Sequence, residues 1–600
     1  MKSTAFYNVA LTNGFWKDKQ DLVYKTTLGA VYDRFVETGR VETMNAKPWS
    51  KNGNPAHVFW ASDVFKWIEG AAYYLESHAD DDLKAKCERI IDDVESAVTE
   101  DGYYNSYYNC THEQRFSNRN NHELYTTGHM IEAGVAYAHA TGDERFLNIC
   151  KRNADLIDRI FRIEQSAAFM TPGHEEIELA LIKLYRYTNE KRYLDLAEFF
   201  IAQRGANDKD KRSNCLPDGS AYGFDFQSHA PVTEQKEALG HAVRAMYLYS
   251  AVADLAKELQ DPRLAETART LFDNINEKKL YITGGIGATA AHEAFGAAYD
   301  LPNEAYNETC AALGLALFAG RLADEYPEGK FADVAERAIY NGMISGLSLS
   351  GDAFFYQNPL IIDRSAKLTP GYYRKTNQRV KVFECSCCPP NLVRMIPSIA
   401  NLIYSSDDAH IFVHQFMANC ATVDGETVII ETDYPVSGRV NVRTEKKKPV
   451  LRKPGWCASL TASAPYREEN GYLYFEKNDV TVEFDMTPRF YRSSPDVHKN
   501  AGKVALTRGP IVYCMESQDQ PADVFRCRAD VTKTPAVLKE FFGGLPVMEA
   551  DGLFTETKTA LYAPVDEGAP VYQPCKLRLI PYCAFANRGE DDMIVWIEEA

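Results

Sequence analysis

The chain has 600 residues, 45% hydrophobic and 25% charged, which is enough for two or three domains around a large buried core. A formal net charge of −18, with no basic, aromatic-interleaved stripe, excludes nucleic acid as a partner. No run of about eighteen apolar residues occurs, the opening stretch lacks an apolar leader segment, and 14 cysteines over this length do not make a secreted disulfide framework. A cytoplasmic protein that does not engage membranes is therefore expected.

From about Leu22 to Tyr404 one pattern recurs: an apolar helix, a polar turn, then a helix with one charged face. The turns show it best, for example Gly142-Asp143-Glu144-Arg145, Asn189-Glu190-Lys191-Arg192, Asp261-Pro262-Arg263 and Glu328-Gly329-Lys330. The apolar members are expected at Ser62–Leu75, His122–Thr141, His174–Tyr187, Lys236–Lys257, Glu308–Glu325 and Asn391–Tyr404. Their amphipathic partners are expected at Leu22–Glu37, Asp81–Val98, Glu144–Phe161, Lys191–Gln203, Arg263–Lys278 and Lys330–Met343. Helices apolar all round are buried and one-faced helices lie outside, so six plus six predicts an (α/α)6 barrel, with an open helical solenoid as the alternative.

The polar residues of the apolar set gather at one end. Asp63, His122, His129, His174, His241, Glu308, Cys310 and the Cys387-Cys388 pair all lie at or near the starts of their helices. In a barrel whose inner helices run parallel these groups converge on one mouth, where helix N-termini favour anions, thiolates included. Two loops add to it. Thr283-Gly284-Gly285-Ile286-Gly287 lacks the strand before it and the Lys-Ser or Lys-Thr after it that a phosphate loop needs, so it reads as a tight bend. It leads into His292-Glu293, a carboxylate ahead of the Glu308 helix, and a later aromatic run, Phe354-Phe355-Tyr356, suits either core or a sugar platform.

Beyond about Ser405 the period becomes two. His410–Phe416, Glu426–Ile430, Arg439–Val442, Gly471–Phe475 and Val480–Phe484 read as short strands of a β-sandwich. The expected division is 1–405 for the helical catalytic domain, 406–515 for the sandwich and 516–600 for a second β-rich region, with the first ten or so residues joining the β part. This half shows no catalytic grouping; its expected work is packing against the barrel or assembly into a homodimer.

The centre of the chain is Cys385-Ser386-Cys387-Cys388-Pro389-Pro390-Asn391, where the prolines hold adjacent thiols at a bend. With Glu308 and Cys310, the pair Cys387 and Cys388 completes four ligands of the kind a tetrahedral zinc takes. Three readings stand: a closed structural zinc site, a redox centre using Cys385 and Cys387, or a hydrolase in which a zinc-bound thiolate attacks a sugar carbon with Glu293 as the acid.

The runs Asn121-His122-Glu123-Leu124-Tyr125 through Gly128-His129, Gly173-His174-Glu175-Glu176, Gly240-His241-Ala242-Val243-Arg244, Thr283–Gly287, Glu308-Thr309-Cys310 and Cys387-Cys388-Pro389-Pro390-Asn391 together resemble glycoside hydrolase family 127, the β-L-arabinofuranosidase family. The resemblance spans the helical part and extends weakly through Arg508-Gly509-Pro510 and Pro581-Tyr582. It implies a retaining hydrolase of β-L-arabinofuranosides, acting on a glycoside or small oligosaccharide. It further implies Cys387 as nucleophile, Glu293 as acid/base by its place after Gly287, and zinc held by Glu308, Cys310, Cys387 and Cys388. Sugar contacts fall to His174 and His241, with His122 or His129 as a third, and to Tyr356. A related glycosidase for another pentofuranoside or an acidic sugar, or a non-catalytic zinc-stiffened sugar-binding protein, is the alternative.

Overall fold

The computed structural model describes residues 1–213, 225–365, 377–383, 385–557, 560–562, 564–565 and 570–600. The helical part is built from buried helices at Trp60–Leu75, Glu123–Thr141, Ile177–Thr188, Ala242–Leu259, Thr309–Glu325 and Cys388–Met395. Each packs against the next, and the last returns to the first. In Glu123–Thr141 every residue but the final three is buried, as an apolar-all-round sequence requires. Around this ring lie Leu28–Glu37, Asp81–Ala97, Arg145–Ile157, Lys191–Gln203, Pro262–Lys278 and Gly329–Arg337.

Pro262–Lys278 shows why the outer set forms. Leu264, Thr267, Ala268, Leu271, Phe272 and Ile275 are its buried residues, one stripe at helical spacing. Asp261 caps its start by accepting from the Arg263 backbone N–H at 2.8 Å, and Pro262 takes the first position, where no donor is needed.

Three buried helices start or stop away from the expected bounds, each for a local reason. Residues 171–176 run as bends, so the third helix begins at Ile177 and His174 lies in its lead-in. Gly240 takes φ +73° and His241 is extended, so the fourth begins at Ala242 rather than near Lys236. The sixth starts at Cys388, with its prolines in the first turn, and ends at Met395 ahead of Pro397; a short turn, Ile399–Leu402, then leads into strand Tyr404–Ser406. No described helix is long and apolar enough to cross a membrane.

Among the described residues the C-terminal part forms three sheets. One takes Tyr404–Ser406, His410–Val413, Lys448–Arg452, Tyr466–Glu469 and Tyr472–Phe475, with Lys2–Ser3 pairing to Tyr404–Ser406 at its edge. The second takes Asn419–Val423, Glu426–Thr432, Arg439–Arg443, Leu460–Ala462 and Asp479–Phe484, with Val9–Leu11 on Asn419–Val423. In Asn419–Val423 alternate residues are buried, the signature of a strand with one face inward. The third sheet runs from Arg489–Tyr491 to Ile597–Glu599 and also recruits Ile361–Ile362 from the helical part. Sheet membership therefore changes between Phe484 and Arg489, not at 515. Lys503–Arg508 turns back through Gly509-Pro510 onto Ile511–Glu516, and these two strands stay in one sheet.

The sheets are fastened to the last outer helix. Arg452, fully buried, donates to Glu336 at 2.5 Å and to Asp333, while the Tyr434 hydroxyl (2.5 Å) and Trp456 Nε1 (3.1 Å) also donate to Glu336. The glycine-rich bend closes through Gly284 N–H to Tyr281 O at 2.9 Å, and it needs glycine twice over. Gly284 has φ +73°, and a Cβ there would lie 2.5 Å from the Ala338 backbone nitrogen. Gly142, with nearly the same φ at a helix end, has open space around it. Gly142→Ala should thus cost only the backbone strain, about 1 kcal/mol, and Gly284→Ala a further ~1–3 kcal/mol from overpacking. Thermal unfolding midpoints of the two variants check the order; equal midpoints would refute the close approach.

Candidate active site

Two helix starts build the centre of the site. Cys387 caps Cys388–Met395, whose prolines occupy a first turn that would have no use for their N–H groups. Glu308 caps Thr309–Glu325, with Cys310 two residues on. Cys387 Sγ lies 3.2 Å from Glu308 Oε1 and 3.7 Å from Cys388 Sγ, and Cys310 Sγ lies 3.6 and 3.3 Å from Cys387 and Cys388. Thr309 N–H donates to Tyr356 O at 2.9 Å, which brings the Tyr356 hydroxyl within 3.1 Å of Cys387 Sγ.

The donors of Glu308, Cys310, Cys387 and Cys388 all lie within 4.8 Å of one another. Burial, then the neighbouring Cys387 and Glu293, push the Glu308 carboxyl well above the usual range; burial and the adjoining thiols do the same to Cys388. Burial also raises Cys310, but its hydrogen bonding with Cys387 and Cys388 outweighs this and brings the thiol down to about 7. Glu308 Oε2 is buried with no hydrogen-bond partner. Three thiols and a carboxylate crowded this closely, with a buried orphan oxygen, fit a bound metal cation as counter-charge.

The opposite wall is imidazole and carboxylate. His241 caps its helix by accepting from Val243 N–H through Nδ1 at 3.2 Å; the ring proton is therefore on Nε2, which donates to Glu293 Oε2 at 3.2 Å. Glu293 stands on a loop closed by paired hydrogen bonds between Thr289 and Ala294 and pinned to the His241 helix by Phe295 N–H on Gly240 O at 2.9 Å. Both His292 and Glu293 take left-handed φ, of 58° and 52°, an uncommon backbone for residues with side chains. His122 and His174 each donate from Nδ1 to a carbonyl, Asn120 O at 2.7 Å and Glu175 O at 2.9 Å, which leaves both Nε2 atoms as acceptors. Burial and then the Arg244 charge lower His122 to about 3 and hold His174 well below the usual imidazole range, so both rings are neutral.

These groups line one cavity of about 360 Å³. On its wall stand His122, His174, His241, Glu293, Glu308, Cys310, Tyr356 and Cys387. Cys388 lies behind it as a fourth donor. His129 is not on this wall. It is fully buried one turn below Tyr125, ring centroids 4.6 Å apart, with Nδ1 3.2 Å from Glu176. Cys385 does line the cavity, 3.8 Å from the Tyr356 hydroxyl.

Tyr125, Asp225, Arg244 and His292 also line the cavity, although the sequence assigns none of them a role. Tyr125 and Arg244 follow His122 and His241 by three residues, hence share their helix faces, and that spacing is the signal that finds them. Arg244 lies over the Phe226 ring at 4.8 Å, and its Nε is buried without a hydrogen-bond partner. Asp225 is delivered from a distant loop and pairs with His292 Nδ1 at 2.9 Å, which no local pattern announces.

Residues 8–401 match the family model described as the beta-L-arabinofuranosidase, GH127 catalytic domain, and residues 488–598 match the glycoside hydrolase family 127 C-terminal domain. The chain belongs to glycoside hydrolase family 127. As a member it is a glycoside hydrolase, and its relatives align over nearly their whole length. A non-reducing end beta-L-arabinofuranosidase of Bifidobacterium longum subsp. longum is 35% identical, over 98% of this chain and 99% of that protein. The solved structure of a GH127 beta-L-arabinofuranosidase from Geobacillus stearothermophilus T6 superposes with a TM-score of 0.91 at 36% identity, covering 99% of this chain and 100% of that one. Another GH127 beta-arabinofuranosidase gives 0.89 at 34%, over 100% and 98%.

The neutral His122 carries a stability prediction. Its ordinary value of 6.5 falls to about 3 in the folded site, so the unfolded chain binds the proton that the folded one refuses. Folding is unpenalised above pH 6.5 and loses stability progressively as the pH drops from 6.5 toward 3. His122→Asn should flatten the fall of the thermal midpoint across that window, on top of any uniform offset from the lost ring contacts; an unchanged acid-side slope would show that the ring is not held neutral.

Proposed function

We propose that this family 127 chain is a retaining, non-reducing end β-L-arabinofuranosidase in which Cys387 is the nucleophile and Glu293 the acid/base. We read the closed ring of six buried helices, sheathed by six outer ones, as an (α/α)6 barrel whose mouth is the cavity. One observation carries the mechanism: a thiol at a helix start and a hydrogen-bonded carboxylate on a pinned loop share one small cavity, with Glu308 within reach of both. The relatives' activity on β-L-arabinofuranosides supplies the substrate class.

In this reading His122 and His174 accept hydroxyl protons of the terminal sugar through their bare Nε2 atoms, and Arg244 donates from beside them. Cys387 Sγ attacks the anomeric carbon as the bond to the leaving oxygen breaks, and that oxygen takes the proton of Glu293. The carboxylate formed then draws a proton from water, whose oxygen displaces sulfur from carbon, so two inversions give net retention. His241, donating to Glu293 from Nε2, orients the carboxyl. Glu308, Cys310, Cys387 and Cys388 are the residues that would hold a zinc ion, which when bound keeps the Cys387 sulfur deprotonated at neutral pH, where a free thiol with pKa about 8.5 is mostly protonated. Tyr356, at 3.1 Å, fixes the sulfur's direction.

Glu293→Gln should lower kcat by roughly 10²- to 10⁴-fold on a substrate with a poor leaving group and least on an activated aryl β-L-arabinofuranoside; equal losses on both would assign the acid elsewhere. Trapping with an electrophilic arabinofuranose mimic, followed by digestion and mass spectrometry, should place the label on Cys387. A label on Cys388, or initial product of inverted configuration by NMR, would overturn the mechanism.

A further inference from the structure

The interior of the ring below the cysteine cluster holds a buried polar chain that the mechanism does not use. We infer that Asn391 is a positioning residue for the cluster, fixing an N–H donor on the Cys310 sulfur; this rests on the reading of the cluster as a divalent-metal site. Asn391 Nδ2 lies 3.0 Å from Cys310 Sγ. Its Oδ1 accepts from Arg394 Nε at 2.7 Å, so the amide cannot rotate to put oxygen against sulfur without breaking that bond. Arg394 is in turn held by Glu69 Oε2 at 3.1 Å and by the Tyr247 hydroxyl at 3.1 Å. Glu69 is then fastened by Lys183 Nζ at 3.2 Å and the Tyr73 hydroxyl at 2.6 Å. Asn391, Arg394, Glu69 and Tyr247 are all buried, so the bonds nearest the sulfur are the best shielded, while Tyr73 and Lys183 at the far end are half-buried.

The physical reason lies in charge. Three thiolates and one carboxylate around a divalent cation leave a net charge of about −2 in a buried place, and such excess is tolerated only where donors point at the sulfurs. A sulfur that accepts an N–H is stabilised as the thiolate a cation needs, and a partner of this kind behind a ligand commonly carries 10- to 100-fold in metal affinity. Among side chains of this size, Leu keeps the shape without the donor, and Asp turns an oxygen toward the thiolate. Only the amide, with its oxygen occupied by Arg394, offers N–H alone.

The test uses the full chain loaded with Zn²⁺ or Co²⁺. Zinc affinity is read by competition with a chromogenic chelator, and the sulfur-to-cobalt charge-transfer band by absorbance. Asn391→Leu should keep one metal per chain, weaken zinc about 10- to 100-fold, and move the cobalt band to lower energy, because the sulfur orbital loses its stabilising donor. Arg394→Lys leaves position 391 intact but loses the planar Nε that orients the amide; it should show the same shifts in smaller measure, and it decides the matter if Asn391→Leu does not fold. Wild-type zinc affinity together with an unmoved cobalt band in either folded variant would overturn the inference. A wild-type chain that binds neither ion would instead overturn the metal reading beneath it.

Discussion

The arrangement depends on holding four acidic donors, three of them sulfur, against one another in a buried place. Glu308, Cys310, Cys387 and Cys388 come from two neighbouring helix starts of the ring, and the partial positive charge of those starts is the first contribution to tolerating them. The second is the polar chain behind Cys310. The rest of the cavity follows from the same geometry: helix starts that face one cavity each place a side chain on its wall. His122, His241, Glu308 and Cys387 are all the residue immediately before a buried helix, and His241 alone of these four also makes a capping hydrogen bond. A cap is the position least constrained by helix packing, so chemistry can be placed there without disturbing the core below.

Much of this was legible in the residues because burial leaves a periodic trace. The apolar-all-round segments mark the buried helices, and the polar residues at their starts mark the mouth. His129 shows where that logic fails. It lies seven residues past His122, on the same side of the helix but deeper, so spacing alone gives its direction and not its depth. Its partner Glu176 comes from the lead-in of another helix, a contact between chain-distant segments that no single stretch encodes. Asp225 was invisible for the same reason. The sheet boundary was misplaced near 515 because a strand's period shows which face is buried, not which sheet it joins; that is settled by pairings such as Cys514 with Ile580.

The interior of the ring carries far more charge than a core made only for stability. Lys66 donates to the Tyr125 hydroxyl at 2.5 Å, beneath the cavity wall, and Glu69, Glu132 and Lys183 form a connected group below it. Buried ion pairs of this kind rarely gain over well-packed apolar residues in free energy. What they provide is direction: Lys66 and Arg394 each fix the orientation of a side chain that faces the site.

The contact of Arg452 with Glu336 and Asp333 bears on how this polypeptide can be divided. Glu336 belongs to an outer helix, a place where a carboxylate would ordinarily meet water, yet it is 1% exposed, and Arg452, Tyr434 and Trp456, all beyond the helical part, donate to it. Severing the chain after the ring would leave that carboxylate and the apolar surface around it without their cover, and the sheets would retain a buried guanidinium with nothing to neutralise it. Neither half is therefore built as a portable module. A fusion or transplant that borrows the catalytic ring has to carry the sheets with it, and natural recombination between the two halves would be confined to partners already matched at this electrostatic joint.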